Sequence, residues 1–123
     1  MSKKYDALKE KSFAFAVRIV RLSQFLVAKK QEFVISKQIL KSGTNPGAMV
    51  REAKNAESGK DYIHKLSIGQ KETGETMYWL ELLVVTNYIK EKEFKSLYED
   101  AVEVMKLLTS TILTKKKIWD FSE

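Results

Sequence analysis

Four stretches of this chain repeat their apolar residues every three or four positions, the period of an α-helix. From about Asp6 to Lys30, residues Leu8, Phe15, Ile19, Leu22 and Leu26 recur at spacings of 7, 4, 3 and 4. From Glu91–Phe94 onward, Phe94, Leu97, Ala101, Val104, Leu108 and Thr111 keep a 3,4,3,4,3 rhythm. That is the pattern of a helix packed at a shallow angle in a bundle. Between these lie a stretch from about Glu32 to Ala56 and another from about Lys60 to Val85 or Asn87. One Pro and five Gly in 123 residues are too few for the many turns of an all-β protein. Each helix is about 30–37 Å long at the helical rise, and short connections make consecutive helices antiparallel neighbours. The expected fold is therefore all-α, an up-down-up-down antiparallel four-helix bundle. It is expected to occupy residues 1–114, followed by a basic and aromatic tail at 115–123.

Two places test this plan. In the second stretch, "KSGTNPGAMV" holds Gly43, Pro46 and Gly47. Proline removes one N–H and crowds the preceding turn, so the helix either breaks here or continues with a kink. Before the third stretch, Ser58 followed by Asp61 has the spacing of a capping box. Asn87 is a plausible stop.

The first stretch carries more than a core-facing side. Phe13, Val17, Val20 and Val27 form a second apolar set on roughly the opposite side, while Lys4, Lys11, Arg18 and Lys29 fall within a narrow arc between the two. A helix greasy on two sides is covered by more than one neighbour, and in a small bundle the second side points to a contact between subunits. The net charge of +6 is concentrated here as well. Residues 1–30 hold eight basic residues against Asp6 and Glu10, whereas residues 31–123 hold fourteen of each sign. Such asymmetry is the footprint of a polyanionic partner or simply of a well-solvated surface.

Catalytic constellations are missing. The chain has no cysteine, which removes disulfides, thiolate metal sites and cysteine nucleophiles. His64 is the single histidine and has Asp61, not Glu, three residues before it, so the ligand count of a di-metal bundle fails. "ESGKDY" lacks the upstream glycine of a phosphate loop, and no G-x-S-x-G occurs. Glu72 and Glu75 lie on one side of the third helix with Tyr78 or Trp79, and Lys71 pairs in register with Glu75. Glu75 is expected to be a buried or interfacial structural acid, with Arg51 or Lys71 as its partner. No catalytic, metal-binding or cofactor-binding residues are expected, and the protein is read as a non-enzyme. The N-terminus "MSKKYDALKEKS" has no apolar core of a signal peptide, and apolar runs are too short to span a bilayer. A cytoplasmic location without membrane contact is expected.

The run "NPGAMVREAKNAESGKDYIHKLSIGQKETGETMYWLELL" resembles a bacterial four-helix-bundle family, that of proteins encoded in intervening sequences of large-subunit ribosomal RNA genes. The match rests on Gly47, Ala48, Glu52 and Ala53, then Asp61, Ile63, Lys65, Ser67 and Ile68, then Glu72, Glu75, Thr76, Tyr78, Trp79 and Leu80. Tyr62 stands where the family usually has Phe, Met49 where it often has Asn, and Gly69 where it often has Ala; Pro46 is unusual. The chain is also similar to the accessory protein of diversity-generating retroelements, a homopentameric barrel that engages RNA and a reverse transcriptase. The resemblance implies a ring-like homo-oligomer, a pentamer, and favours RNA over DNA. On this reading Lys4, Lys11, Arg18, Arg21, Lys29 and Lys30, with Arg51 as a weaker addition, contact the nucleic-acid backbone. The alternative is a protein–protein adaptor without nucleic-acid binding, anchored by Trp119, Phe121 or other exposed aromatics.

Overall fold

The computed structural model describes the backbone of residues 2–122 and the side chains of residues 2–118. It consists of α1 (Lys3–Lys30), α2 (Ile35–Ala53), α3 (Gly59–Val85) and α4 (Glu91–Ser122). Each helix packs against two others. α1 touches α2 and α4, α3 touches α2 and α4, and the diagonal pairs do not meet among the described residues. The direction of each helix follows from the register of cross-helix hydrogen bonds. Tyr5 reaches Val50 and Ser23 reaches Ser36, so α1 and α2 run antiparallel. Gln70 bonds Thr109 and Tyr98 bonds Glu81, which does the same for α3 and α4. The expected all-α up-down-up-down bundle is the observed fold.

Helix ends have local causes. The Ser2 hydroxyl accepts from the Tyr5 N–H at 3.1 Å and opens α1. Gln31 closes it in the left-handed region at φ 52°. The Ser58 hydroxyl accepts from the Asp61 N–H, and the Asp61 carboxylate accepts from the Glu57 N–H, so the capping role expected for this pair holds. Asn87, the expected stop, takes φ 66° just beyond the end of α3.

α2 begins at Ile35, three residues after Glu32, and Val34 at its N-cap brings no side-chain cap. Glu32 supplies it instead: its carboxylate accepts from the N–H groups of Val34, Ile35 and Ser36 at 3.2, 3.0 and 2.7 Å. Of the two readings at Pro46, continuity is correct, since Pro46 lies inside α2 and is buried. α4 runs on past Thr114 through the expected tail to Ser122. The side chains of Trp119 and Phe121, the anchors of the adaptor reading, lie outside the described residues.

The core is a single cluster in which Leu8, Ile19, Leu26, Ile39, Leu66, Leu80, Leu83 and Leu108 are fully buried. Small residues let two helices approach α2 closely. A Cβ on Gly43 would sit 2.7 Å from two carbons of Ile19, and one on Gly69 would sit 3.6 Å from the Pro46 Cα. Hydroxyls supply the side-chain hydrogen bonds that cross these contacts. The Thr76 and Ser42 hydroxyls are hydrogen-bonded at 2.8 Å across the α2–α3 contact, and Ser23 donates to the Ser36 carbonyl at 3.1 Å across the α1–α2 contact.

Candidate functional site

The basic arc of α1 lies in the groove between α1 and α4, facing the last helix. Lys4 Nζ donates to Thr114 Oγ1 at 2.9 Å. Lys11 Nζ stands 3.2 Å from a Glu103 carboxylate oxygen. Arg18 Nη1 donates to Asp100 Oδ2 at 2.6 Å and to the Ser96 carbonyl at 3.4 Å. As the residue number rises on α1 it falls on α4, as an antiparallel pair requires. All four charged side chains of the two ion pairs are 39–57 % exposed. Such pairs contribute about 0.2–1 kcal/mol and are screened by salt, so their cations remain within reach of a competing anion.

The other expected contact residues divide. Arg21 and Lys29 are exposed and have no ion-pair partner among the described residues. Arg21 lies beside Arg18, Leu22, Phe25, Glu93 and Leu97 in a shallow groove at the α1–α4 seam. Lys30 lies 5.9 Å from the centre of the Phe25 ring. Arg51 does not join the arc. It stands on α2 with its guanidinium carbon 5.4 Å from the centre of the Phe13 ring, which places it at the edge of the second apolar side of α1. The structure thus brings Lys4, Lys11, Arg18 and Arg21 along one seam and leaves Arg51 apart from it.

That second apolar side is uncovered. Phe13 is 57 % exposed, Val27 42 %, and Val17 and Val20 37 % each. Beside Phe13, a shallow groove is lined by Ala16 and by Thr44, Gly47 and Ala48 of α2.

The carboxylates of α3 do not assemble into a site. Glu75 is exposed, which corrects the buried alternative of the buried-or-interfacial expectation, and among the described residues neither Arg51 nor Lys71 pairs with it. The core side of α3 is taken by Leu66, Gly69, Thr73, Thr76, Leu80 and Leu83, and helical geometry turns Glu75 away from it. Buried polarity on this helix is carried by Thr73 and Thr76 instead, whose hydroxyls bond the carbonyls four residues back. His64 is exposed. No three His, Asp or Glu side chains gather where a metal would sit among the described residues, and no described helix is long and apolar enough to cross a membrane.

Among the described residues, four groups titrate away from their ordinary values. Burial pushes the Tyr5 phenol up, and it donates to the Val50 carbonyl at 2.7 Å. Burial also raises Tyr62 and Tyr98, with the Glu81 carboxylate adding to the effect at Tyr98. At Glu32, burial pushes the carboxyl up, but the N–H donors of Ile35, Ser36 and Val34 outweigh it and hold the carboxyl below its usual range. Tyr5, Tyr62 and Glu32 belong to seams or caps, while Tyr98 lines an open groove on α4. Glu32 and the acids of α4 were the partners that sequence periodicity missed. A Glu three residues before the first apolar residue of a helix was the available signal for the former.

Fold and surface together define an all-α bundle whose notable features are a charged seam and an uncovered apolar stripe. A family model describing 23S rRNA-intervening sequence proteins matches residues 5–110, and the chain belongs to that family. It is also similar to a protein of unknown function from the S23 ribosomal protein family of Bacteroides thetaiotaomicron VPI-5482, known from a crystal structure. The two are 53% identical with a TM-score of 0.87, covering 89% of this chain and 97% of the other. No curated protein matches the chain.

Proposed function

We propose that this protein is a non-enzymatic, self-associating helical bundle that holds nucleic acid, RNA in preference to DNA, by its phosphate backbone along the α1–α4 seam. The carrying observation is the alignment of Lys4, Lys11, Arg18 and Lys29 along one side of α1, flanked by Arg21 and Lys30. From Lys4 to Lys29 the row spans about 37 Å at the helical rise. The acids that pair with Lys11 and Arg18 are half-exposed, and phosphates can replace them at little cost. A homo-oligomer, a pentamer by family resemblance, repeats the row in every subunit, so moderate contacts sum. No base-reading motif accompanies the row, so contact is to phosphate and sugar without sequence readout.

Salt-titrated binding to a structured RNA and to a duplex DNA of similar length tests this. Binding is expected near physiological salt. It should weaken steeply as salt rises, with a slope of about 0.7–0.9 per phosphate contact. Replacing Lys11, Arg18 and Lys29 together with Gln should flatten that slope without unfolding the protein. Absence of binding even at low salt would sink the proposal.

The second reading is a protein–protein scaffold. It is favoured by the same pairs seen differently: Lys11 and Arg18 already have acid partners, and the largest uncovered feature of α1 is apolar. Deleting residues 115–123 distinguishes the two readings, because a tail-anchored adaptor loses its partner while polyanion binding persists.

A further inference from the structure

The connection between α1 and α2 inverts the usual order of burial. Its acid is turned in and its apolar residues are turned out: Glu32 is buried, whereas Phe33 is 58 % exposed and Val34 71 %. We propose that this end of the bundle rests on anionic lipid headgroups, with Phe33 and Val34 entering the acyl boundary and Lys29, Lys30 and Lys37 meeting the lipid phosphates. This surface goes beyond the nucleic-acid reading and does not depend on it.

The Glu32 cap is what fixes the tip. Its carboxylate takes the N–H groups of Val34, Ile35 and Ser36. Its own N–H donates to the Leu26 carbonyl at 3.0 Å, and its carbonyl accepts from the Ser36 hydroxyl at 2.8 Å. These backbone groups are satisfied from within, so moving the tip out of water leaves none of them without a partner. α3 runs antiparallel to α2, since Gly69 lies against Pro46 and Thr76 against Ser42. Its last residue, Val85, therefore ends at the same level, and it is 77 % exposed.

Charge identifies the occupant. From Lys11 to Arg51 the chain carries eight basic residues and a single acid, and that acid is the buried Glu32. α1 beyond Glu10, the connection and α2 as far as Glu52 thus present only positive charge to solvent. Lys29 and Lys37 are exposed and have no ion-pair partner among the described residues. The α3–α4 connection at the same end adds Lys90 and Lys92 against Glu91 and Glu93, which leaves the sign unchanged. A nucleic-acid backbone offers phosphates but no apolar layer beneath them. A protein partner has to supply a cavity shaped to a convex tip. A lipid interface yields to the tip and stacks phosphate above acyl chain, the order in which lysines and apolar side chains are set here. Short apolar runs exclude spanning, and no described helix can cross a membrane; contact from one side requires neither.

Co-sedimentation of the full chain with vesicles tests this, using equal parts phosphatidylglycerol and phosphatidylcholine against phosphatidylcholine alone. Wild type is expected to pellet with the anionic vesicles and to partition about tenfold more weakly, or less, into the neutral ones. Phe33→Ser with Val34→Ser should lower partitioning into the anionic vesicles about tenfold or more. The same pair should leave the melting temperature and the RNA salt titration unchanged, because both side chains are exposed and lie outside the basic row. Phe33→Trp should partition at least as well as wild type, since an indole favours the lipid–water boundary. A wild type that stays in the supernatant with anionic vesicles overturns the inference. So does a Ser pair that partitions like wild type, which reduces the contact to adsorption by charge. Loss of RNA binding in the Ser pair assigns the tip to the nucleic-acid interface instead, and a changed sedimentation coefficient without vesicles assigns it to a contact between protein chains; either overturns the lipid assignment. Should the Ser pair melt early, Phe33→Gln alone replaces it, with the same outcomes read.

Discussion

The two long seams of α1 are built on different physics. Towards α2, contact is close and dry. Gly43 admits Ile19, Ser12 and Ser23 are buried, and the buried Tyr5 hydroxyl bonds the Val50 carbonyl. Towards α4, contact is bridged by half-exposed charged pairs. The first seam is where volume and hydrogen-bond satisfaction decide stability. The second tolerates change and keeps its charges available to solvent. Stability and binding are thus divided between two adjacent sides of one helix, which lets the charged side change without loss of the fold.

Four variants probe that division, in order of expected effect. Gly43→Ala should destabilise the protein by about 1–2 kcal/mol net, the overpacking against β-branched Ile19 outweighing the gain in helix propensity. A thermal melt would show it, and an unchanged or raised Tm would mean that the seam is looser than the 2.7 Å approach implies.

Glu32→Gln should cost about 1 kcal/mol, the worth of a helix N-cap. Its pH signature is specific. The folded-state pKa is depressed, so the unfolded chain binds more protons in acid and the wild-type stability rises with pH through that range. The contribution is complete above the unfolded value of about 4.3 and is lost as pH falls through the lower folded value. The difference between variant and wild type should therefore shrink on acidification; a constant difference from neutral pH into acid would refute the capping role.

Gly74→Ala provides the control for Gly43. Only the Met105 Cε lies near a Cβ there, at 3.9 Å, so the same substitution should stabilise by about 0.5–1 kcal/mol. Opposite signs at the two glycines would isolate packing from propensity. The smallest stability effect is expected from Asp100→Asn with Glu103→Gln, under about 1 kcal/mol by denaturant titration, because both pairs are exposed. Its effect on polyanion binding should be larger and positive: freeing Arg18 and Lys11 adds cations to the row, steepening the salt dependence. Weaker RNA binding by this variant would show that the seam's charges serve the fold alone.

Legibility followed range. The seams at Leu8–Leu26 and Phe94–Thr111, the Ser58 cap and the uncovered valines of α1 were readable because a 3.6-residue period and a cap are properties of adjacent residues. Pro46 was ambiguous, since whether a proline is accommodated inside a helix depends on what its neighbours can satisfy. Glu75 was misplaced because a carboxylate among aromatics looks buried until the orientation of α3 is known; threonines met that polar need instead.

The sequence by itself determined the number and type of elements, the core-facing sides of α1 and α4, the family and the excess of charge in the first helix. Tertiary structure decided which cations have partners and which surfaces stay open. Lys11 meets Glu103 and Arg18 meets Asp100 across more than eighty residues. That pairing depends on which helices become neighbours and on their vertical register. Both are set by non-local packing, with small residues such as Gly43 controlling how closely two helices approach, and no period within a single helix encodes them.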